Sequence, residues 1–187
     1  MAVRPKKQPT FATKRLRLRP FRAGDLRALH ALYADPDNLR YWSTPPSPDL
    51  DHTRRMLRWH LRYQPANYAL WAVEEKKSRR VIGMINYHHR NLQFRRVDVG
   101  WLLLPSHQDK GYMAEAARTL LRHLFDDLGV HKVEALIHPK NKPSAALARR
   151  LGFRREGGPI RDRWLVSGHW HSTMLYGLIA GEERAPG

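Results

Sequence analysis

The chain has 187 residues, 42% of them hydrophobic, and its 34 Lys+Arg against 17 Asp+Glu leave a formal charge of +17. That size and composition suit one globular domain with a sizeable core and exclude a disordered chain. Without cysteine, disulfides, a thiolate nucleophile and sulfur-ligated zinc are excluded, and no apolar run approaches the ~20 residues of a membrane helix.

In chain order, residues 1–12 read as a basic, flexible arm. The arm lacks the apolar centre of a signal peptide, so a cytoplasmic location is expected. "RLRLRP" alternates, placing Leu16 and Leu18 on one face of a first strand. Leu26, Leu29, Leu32 and Tyr33 repeat at helical spacing. A second helix is expected with Ser47 as N-cap, Pro48 at its first position and a stripe of Leu50, Leu57 and Leu61. Three strand-like runs at 68–75, 80–90 and 95–104 follow closely enough to pair antiparallel. A helix over 113–128, a short strand near 130–138 and a short helix over 142–151 come next. A hairpin turning at Ser167-Gly168 then completes residues 161–179. The expected fold is α+β: one domain over 13–180, with a mixed, mainly antiparallel sheet of six to seven strands and about four helices, then a tail over 181–187.

The stretch "VDVGWLLLPSHQDKGYMAEA" passes from a strand through a charged turn into a helix. A helix start carries unpaired N–H groups and a partial positive charge, so it is a ready anion site. Gly111 lets the backbone approach a ligand and Lys110 adds charge; a plain connecting turn uses the same residues. Gly100 fits a bulge that splays this strand from its neighbour. The unpaired amides of such a slot would hold an extended, amide-containing ligand.

These segments, together with "TKRLRLRPFRAGDLRAL", "HPKNKPSAALARRLGFRREG" and "IRDRWLVSGHWHSTMLYGLI", resemble the Gcn5-related N-acetyltransferase (GNAT) superfamily. The similarity is to the RimJ/RimL branch of ribosomal-protein N-terminal acetyltransferases, in one register over about residues 13–179. The resemblance implies the GNAT fold and acetyl-CoA as co-substrate. "QDKGYM" matches the Q/R-x-x-G-x-G/A pyrophosphate loop, so Gln108, Asp109, Lys110, Gly111, Tyr112 and Met113 are expected at the phosphates. Met113 departs from the small residue of that pattern. Leu102, Leu103 and Leu104 match the strand that pairs with the pantetheine amides, and Asn141 and Ser144 match the residues flanking the thioester. Asp98 stands where the branch carries an acidic residue, as a general base or a substrate-orienting carboxylate. The tyrosine acid of many relatives is replaced by Ala148, and the branch's late acidic position by Ser172.

No G-x-S-x-G elbow surrounds any serine, so direct attack of an amine on the thioester in a ternary complex is expected, without an acyl-enzyme. Backbone N–H groups near Leu102 and Leu103 would polarise the carbonyl, and Ser144 is the candidate hydrogen-bond donor to the sulfur. Trp42 and Trp170 are candidate substrate-wall residues, with core packing as their other reading. "YHHR" puts His88 and His89 on opposite strand faces and "HWH" puts His169 and His171 on one face. No metal-ligand spacing such as H-E-x-x-H occurs, so no metal is expected; either pair suits substrate binding or proton buffering.

An α-amine, with a pKa of ~7.7–8, is deprotonated at neutral pH more easily than Lys at ~10.4. The leading acceptor is therefore a protein N-terminus, ribosomal or other, with a small amine (amino acid, polyamine or antibiotic) as the alternative. A non-catalytic RNA- or ribosome-associated protein on the same scaffold is the rival, because the basic charge would bring it near nucleic acid. A homodimer is compatible with the sequence.

Overall fold

The computed structural model describes residues 7–182. Its elements are β1 (Phe11–Ala12), β2 (Leu16–Pro20), α1 (Leu26–Tyr33), α2 (Leu50–His60), β3 (Ala69–Glu75), β4 (Val81–Asn91), β5 (Arg96–Leu103), α3 (Tyr112–Arg122), β6 (Lys132–Ile137), α4 (Lys142–Leu151), β7 (Arg154–Val166) and β8 (His169–Ile179). The strands form one eight-stranded sheet ordered β1-β2-β3-β4-β5-β6-β8-β7. Every neighbouring pair is antiparallel except β5 and β6, which run parallel around the crossover through α3.

Strand alternation divides the core between the two faces of this sheet. Trp71, Ile85, Val97 and Val99 face α3 and α4, where Ala116, Leu120, Ala148 and Leu151 close the larger cluster. Leu70, Met84 and Leu102 face α1 and α2, packing on Leu29, Leu32 and Leu57. The small alanines of α3 let it lie close against the sheet. Both Leu16 and Leu18 are buried in the larger cluster, as the alternation of "RLRLRP" requires.

Several expectations are corrected. The sheet has eight strands, because β1 adds a pair that sequence pattern alone leaves as coil; β7, the first arm of the expected hairpin, begins at Arg154 rather than at 161. The basic arm lies partly outside the described residues, and its described part packs on the sheet. Phe11–Ala12 pairs with β2, Gln8 Nε2 donates to the Leu70 carbonyl at 2.7 Å, and Trp71 Nε1 donates to the Pro9 carbonyl at 2.8 Å. The cap of α2 is Asp49, whose carboxylate accepts the His52 N–H. Ser47 is instead buried with its hydroxyl 2.7 Å from Thr53 Oγ1. Leu57 alone of the expected stripe is buried; Leu50 and Leu61 are exposed. The helix expected over 113–128 ends its regular part at Arg122 and widens into one π-turn, with the Leu128 N–H donating to the His123 carbonyl at 3.0 Å. That widening keeps His123 and Leu124 both buried, with the His123 ring against Phe11 and Trp71.

Candidate active site

The one parallel pairing creates the site. β5 and β6 are joined only over Arg96–Asp98 and Lys132–Glu134; beyond them the strands part. The register of β4 on β5 runs unshifted from Gly83↔Leu103 to His88↔Asp98. The expected bulge at Gly100 is thus absent, and the splay arises from the short β5–β6 ladder. Gly100 has a different reason: a Cβ there would lie 2.8 Å from Asn86 Oδ1 and 3.3 Å from Trp42 Cη2. The Leu104 N–H donates to the Ile82 carbonyl at 2.9 Å, so alternation turns the main-chain groups of Leu102 and Gly100 toward β4 as well. Trp101 and Leu103 therefore present theirs to the open edge. The Leu103 carbonyl accepts Gln108 Nε2 at 3.1 Å.

A cleft of about 500 Å³ opens at this split, bounded by the β5 edge, the starts of α3 and α4, and the α1–α2 connection. Gly111 caps α3 in the left-handed conformation (φ 75°) with no side-chain cap, so the first-turn N–H groups have no intrahelical acceptor. Gln108, Asp109, Gly111, Tyr112 and Met113 all line the cleft. Met113 also packs in the larger core cluster. Lys110 folds back, its Nζ donating to the Ser106 carbonyl at 2.7 Å.

Sequence reading missed what holds this turn. Glu115 accepts from the Thr13 hydroxyl, the Arg15 N–H and Arg15 Nε. Arg15 Nη1 donates to the Lys110 carbonyl at 2.9 Å, and the guanidinium lies 4.4 Å from the Tyr112 ring centroid. The Tyr112 hydroxyl donates to Glu75, and that bond raises the phenol's pKa. Burial works against the Glu115 carboxylate, but Thr13 and Arg15 more than offset it and hold its pKa below the ordinary value. The partners lie about a hundred residues apart in the chain, beyond any local pattern.

On the opposite wall Asn141 caps α4, its Oδ1 accepting the Ser144 N–H at 3.2 Å. The Ser144 hydroxyl accepts Trp101 Nε1 at 3.1 Å. Accepting that bond leaves the hydroxyl its own hydrogen to donate, and Ser144 lines the cleft. Trp42 lines the cleft with Tyr41, Asn38 and Asp37. Trp170 neither packs in the core nor lines the cleft: it is 61% exposed near the tip of the β7–β8 hairpin.

Asp98 is buried on the face toward α1 and α2, two residues before Gly100. It is not among the residues lining the cleft; on the same strand face, Trp42 of the cleft wall packs over Gly100. His88 and His89 do not lie on opposite faces. His89 takes a left-handed φ of 51°, and the β4–β5 register shifts between His88 and Asn91. Both imidazoles thus meet Asp98, with ring centroids 4.7 Å apart and His89 Nδ1 3.0 Å from Asp98 Oδ2. Burial lowers the pKa of His88, and neighbouring His89 lowers it further, against the raising effect of Asp98.

The geometry fits the long, amide-bearing, phosphorylated acetyl-CoA: main-chain donors at a glycine-opened helix start, an unpaired strand edge and a cleft joining them. Known proteins agree. Residues 15–154 match the family model described as acetyltransferase (GNAT) domain. YoaA of Bacillus subtilis, named as an uncharacterized N-acetyltransferase, is 24% identical over 176 residues, 94% of this chain and 99% of its own. Spermidine N(1)-acetyltransferase of Vibrio cholerae is 26% identical over 163 residues, 84% of this chain and 89% of its own. The crystal structure of a Vibrio cholerae spermidine N-acetyltransferase shares the fold with a TM-score of 0.79 and 22% identity, over 91% of this chain and 98% of that one. The chain belongs to the GNAT acetyltransferases, enzymes that move the acetyl group of acetyl-CoA to an amine.

Proposed function

We propose that the acceptor is the α-amine of a protein or peptide, acetylated by direct attack within a ternary complex. The observation that carries this reading is the sparseness of carboxylates at the acceptor end of the cleft. Of its lining carboxylates, Asp109 lies in the phosphate turn and Asp37 lies beside Tyr41 and Trp42; Asp98 stands outside the lining, as proton acceptor and not as a grip on a second ammonium. One carboxylate suits one ammonium group. A polyamine presents several, and the +17 chain repels it at longer range. The lower pKa of an α-amine also favours it as the nucleophile at neutral pH.

Acetyl-CoA supplies the activated acetyl thioester. The first-turn N–H groups of α3 and Gly111 hold its phosphates, with Gln108 and Asp109 on the flanks. The N–H groups of Trp101 and Leu103 receive its amides and polarise the carbonyl; Leu102 contributes side-chain wall. Asp98, buried beyond Gly100 and outside the cleft lining, takes the proton lost by the acceptor ammonium by way of water, and Ser144 donates toward the sulfur. No acyl-enzyme is required of any side chain.

A small-amine reading has its own support, because relatives include spermidine acetyltransferases and one solved relative is described with CoA and spermine. Thiol release from acetyl-CoA, measured across peptides with free and blocked N-termini, spermidine and free amino acids, separates the two. We expect kcat/KM for a free-N-terminal peptide to exceed that for spermidine by roughly tenfold or more. Spermidine turned over faster than every peptide would replace this reading with the small-amine one.

A further inference from the structure

We infer that His89 is a positioning residue for Asp98, and that the β-bulge at His88–Asn91 exists to bring it there. The inference rests on Asp98 acting as the base. Regular alternation would send the His89 side chain away from Asp98; the register shift and the left-handed φ of 51° bring it back. Such a backbone is uncommon within a strand, though histidine tolerates it better than most residues, and it persists where its surroundings require it. What it gains is the contact between His89 Nδ1 and Asp98 Oδ2 at 3.0 Å.

The neighbouring charges leave this contact unrivalled. Arg90, also on β4, directs its guanidinium to the Pro65 and Leu128 carbonyls. Arg96 on β5 and Lys132 on β6 both reach Glu134, the register partner of Asp98. His88 faces the same carboxylate but is kept toward its neutral form by burial. Among the described residues, His89 is the ion-pair partner the Asp98 carboxylate has. The two side chains differ sharply in access, 11% exposed for Asp98 and 69% for His89. With Nδ1–H donating, Oδ2 is fixed and Oδ1 is left for the water that delivers the acceptor's proton. One N–H bond of the ammonium breaks, one O–H bond forms at Asp98, and the proton returns to solvent after product leaves.

The donor atoms of His88, His89 and Asp98 also lie within 4.8 Å of one another, a spacing a divalent cation would use. Arg96, two residues along the strand and paired to the neighbouring Glu134, disfavours a cation there, and the test includes that outcome. Steady-state rates of the full chain, from about pH 5.5 to about pH 9, are compared for wild type, His89→Ala, His89→Asn and Asp98→Asn. The asparagine Nδ2–H stands where the imidazole Nδ1–H stood.

We expect His89→Ala to lower kcat roughly tenfold with KM for acetyl-CoA unchanged. His89→Asn should recover most of that rate, and a chelator should change nothing. Wild-type kcat and profile in His89→Ala, with Asp98→Asn impaired, would overturn this inference alone. Full activity in Asp98→Asn would remove the base reading and this inference with it. Activity lost to a chelator and restored by zinc would replace both with a metal site.

Discussion

Ser144 is the residue at which packing and chemistry separate most cleanly. Its backbone N–H serves the α4 cap while its hydroxyl accepts from Trp101, so the side chain can be removed without uncapping the helix. Ser144→Ala is expected to lower kcat by about tenfold to a hundredfold, with acetyl-CoA affinity and thermal midpoint nearly unchanged. Steady-state kinetics beside a melting curve checks both. Ser144 and Asp98 were nameable because short motifs carry them. Trp101, Arg15 and the meeting of His89 with Asp98 were not. The first two act through partners brought together only by the sheet, and the third through a bulge that breaks the period-two rule on which strand reading rests.

At the scale of elements, the starts of α3 and α4 are held by different means, and their variants should fail differently. Asn141→Ala removes a side-chain cap and should cost about 1 kcal/mol of stability, read by urea unfolding. Glu115→Ala releases Thr13 and Arg15 from the first turn of α3. It should raise KM for acetyl-CoA several-fold, while kcat at saturation falls much less. Element type was legible almost throughout: α1, α4 and the three central strands sit where periodicity put them. The misses have local physical causes. Asp49 outcompetes Ser47 as cap because Ser47 is drawn into a buried hydroxyl pair with Thr53. The π-turn follows from burying His123 and Leu124 together, a tertiary demand that helical spacing does not encode.

Over the whole molecule, the fold carries an acid-sensitive group remote from the site. Burial pushes the His60 imidazole down to about 4 from 6.5, and its Nδ1 shares a hydrogen bond with the Tyr68 hydroxyl at 2.9 Å. The unfolded chain therefore binds a proton that the folded one refuses between those values, so stability falls as pH drops through that window and the effect levels off near 4. The loss is up to about 3 kcal/mol. Lowered pKa values at His88 and His138, each caused first by burial, act in the same direction. Urea midpoints at neutral and mildly acid pH should differ accordingly, and His60→Asn should flatten the difference. The positive field of the chain belongs to this scale too: it draws a polyphosphorylated co-substrate toward the cleft without naming the acceptor, so the acceptor was the least legible feature.

The central claim, that the β5–β6 split and the glycine-opened start of α3 form the acetyl-CoA site, is tested most directly by calorimetric titration of acetyl-CoA. Wild type and Gly111→Glu are compared at moderate salt, with the fold of each checked by circular dichroism. One-to-one binding that the folded variant loses is the predicted result, because a carboxylate would occupy the phosphate position at a backbone already in the left-handed region. Equal binding by both proteins would place the co-substrate elsewhere and contradict the account.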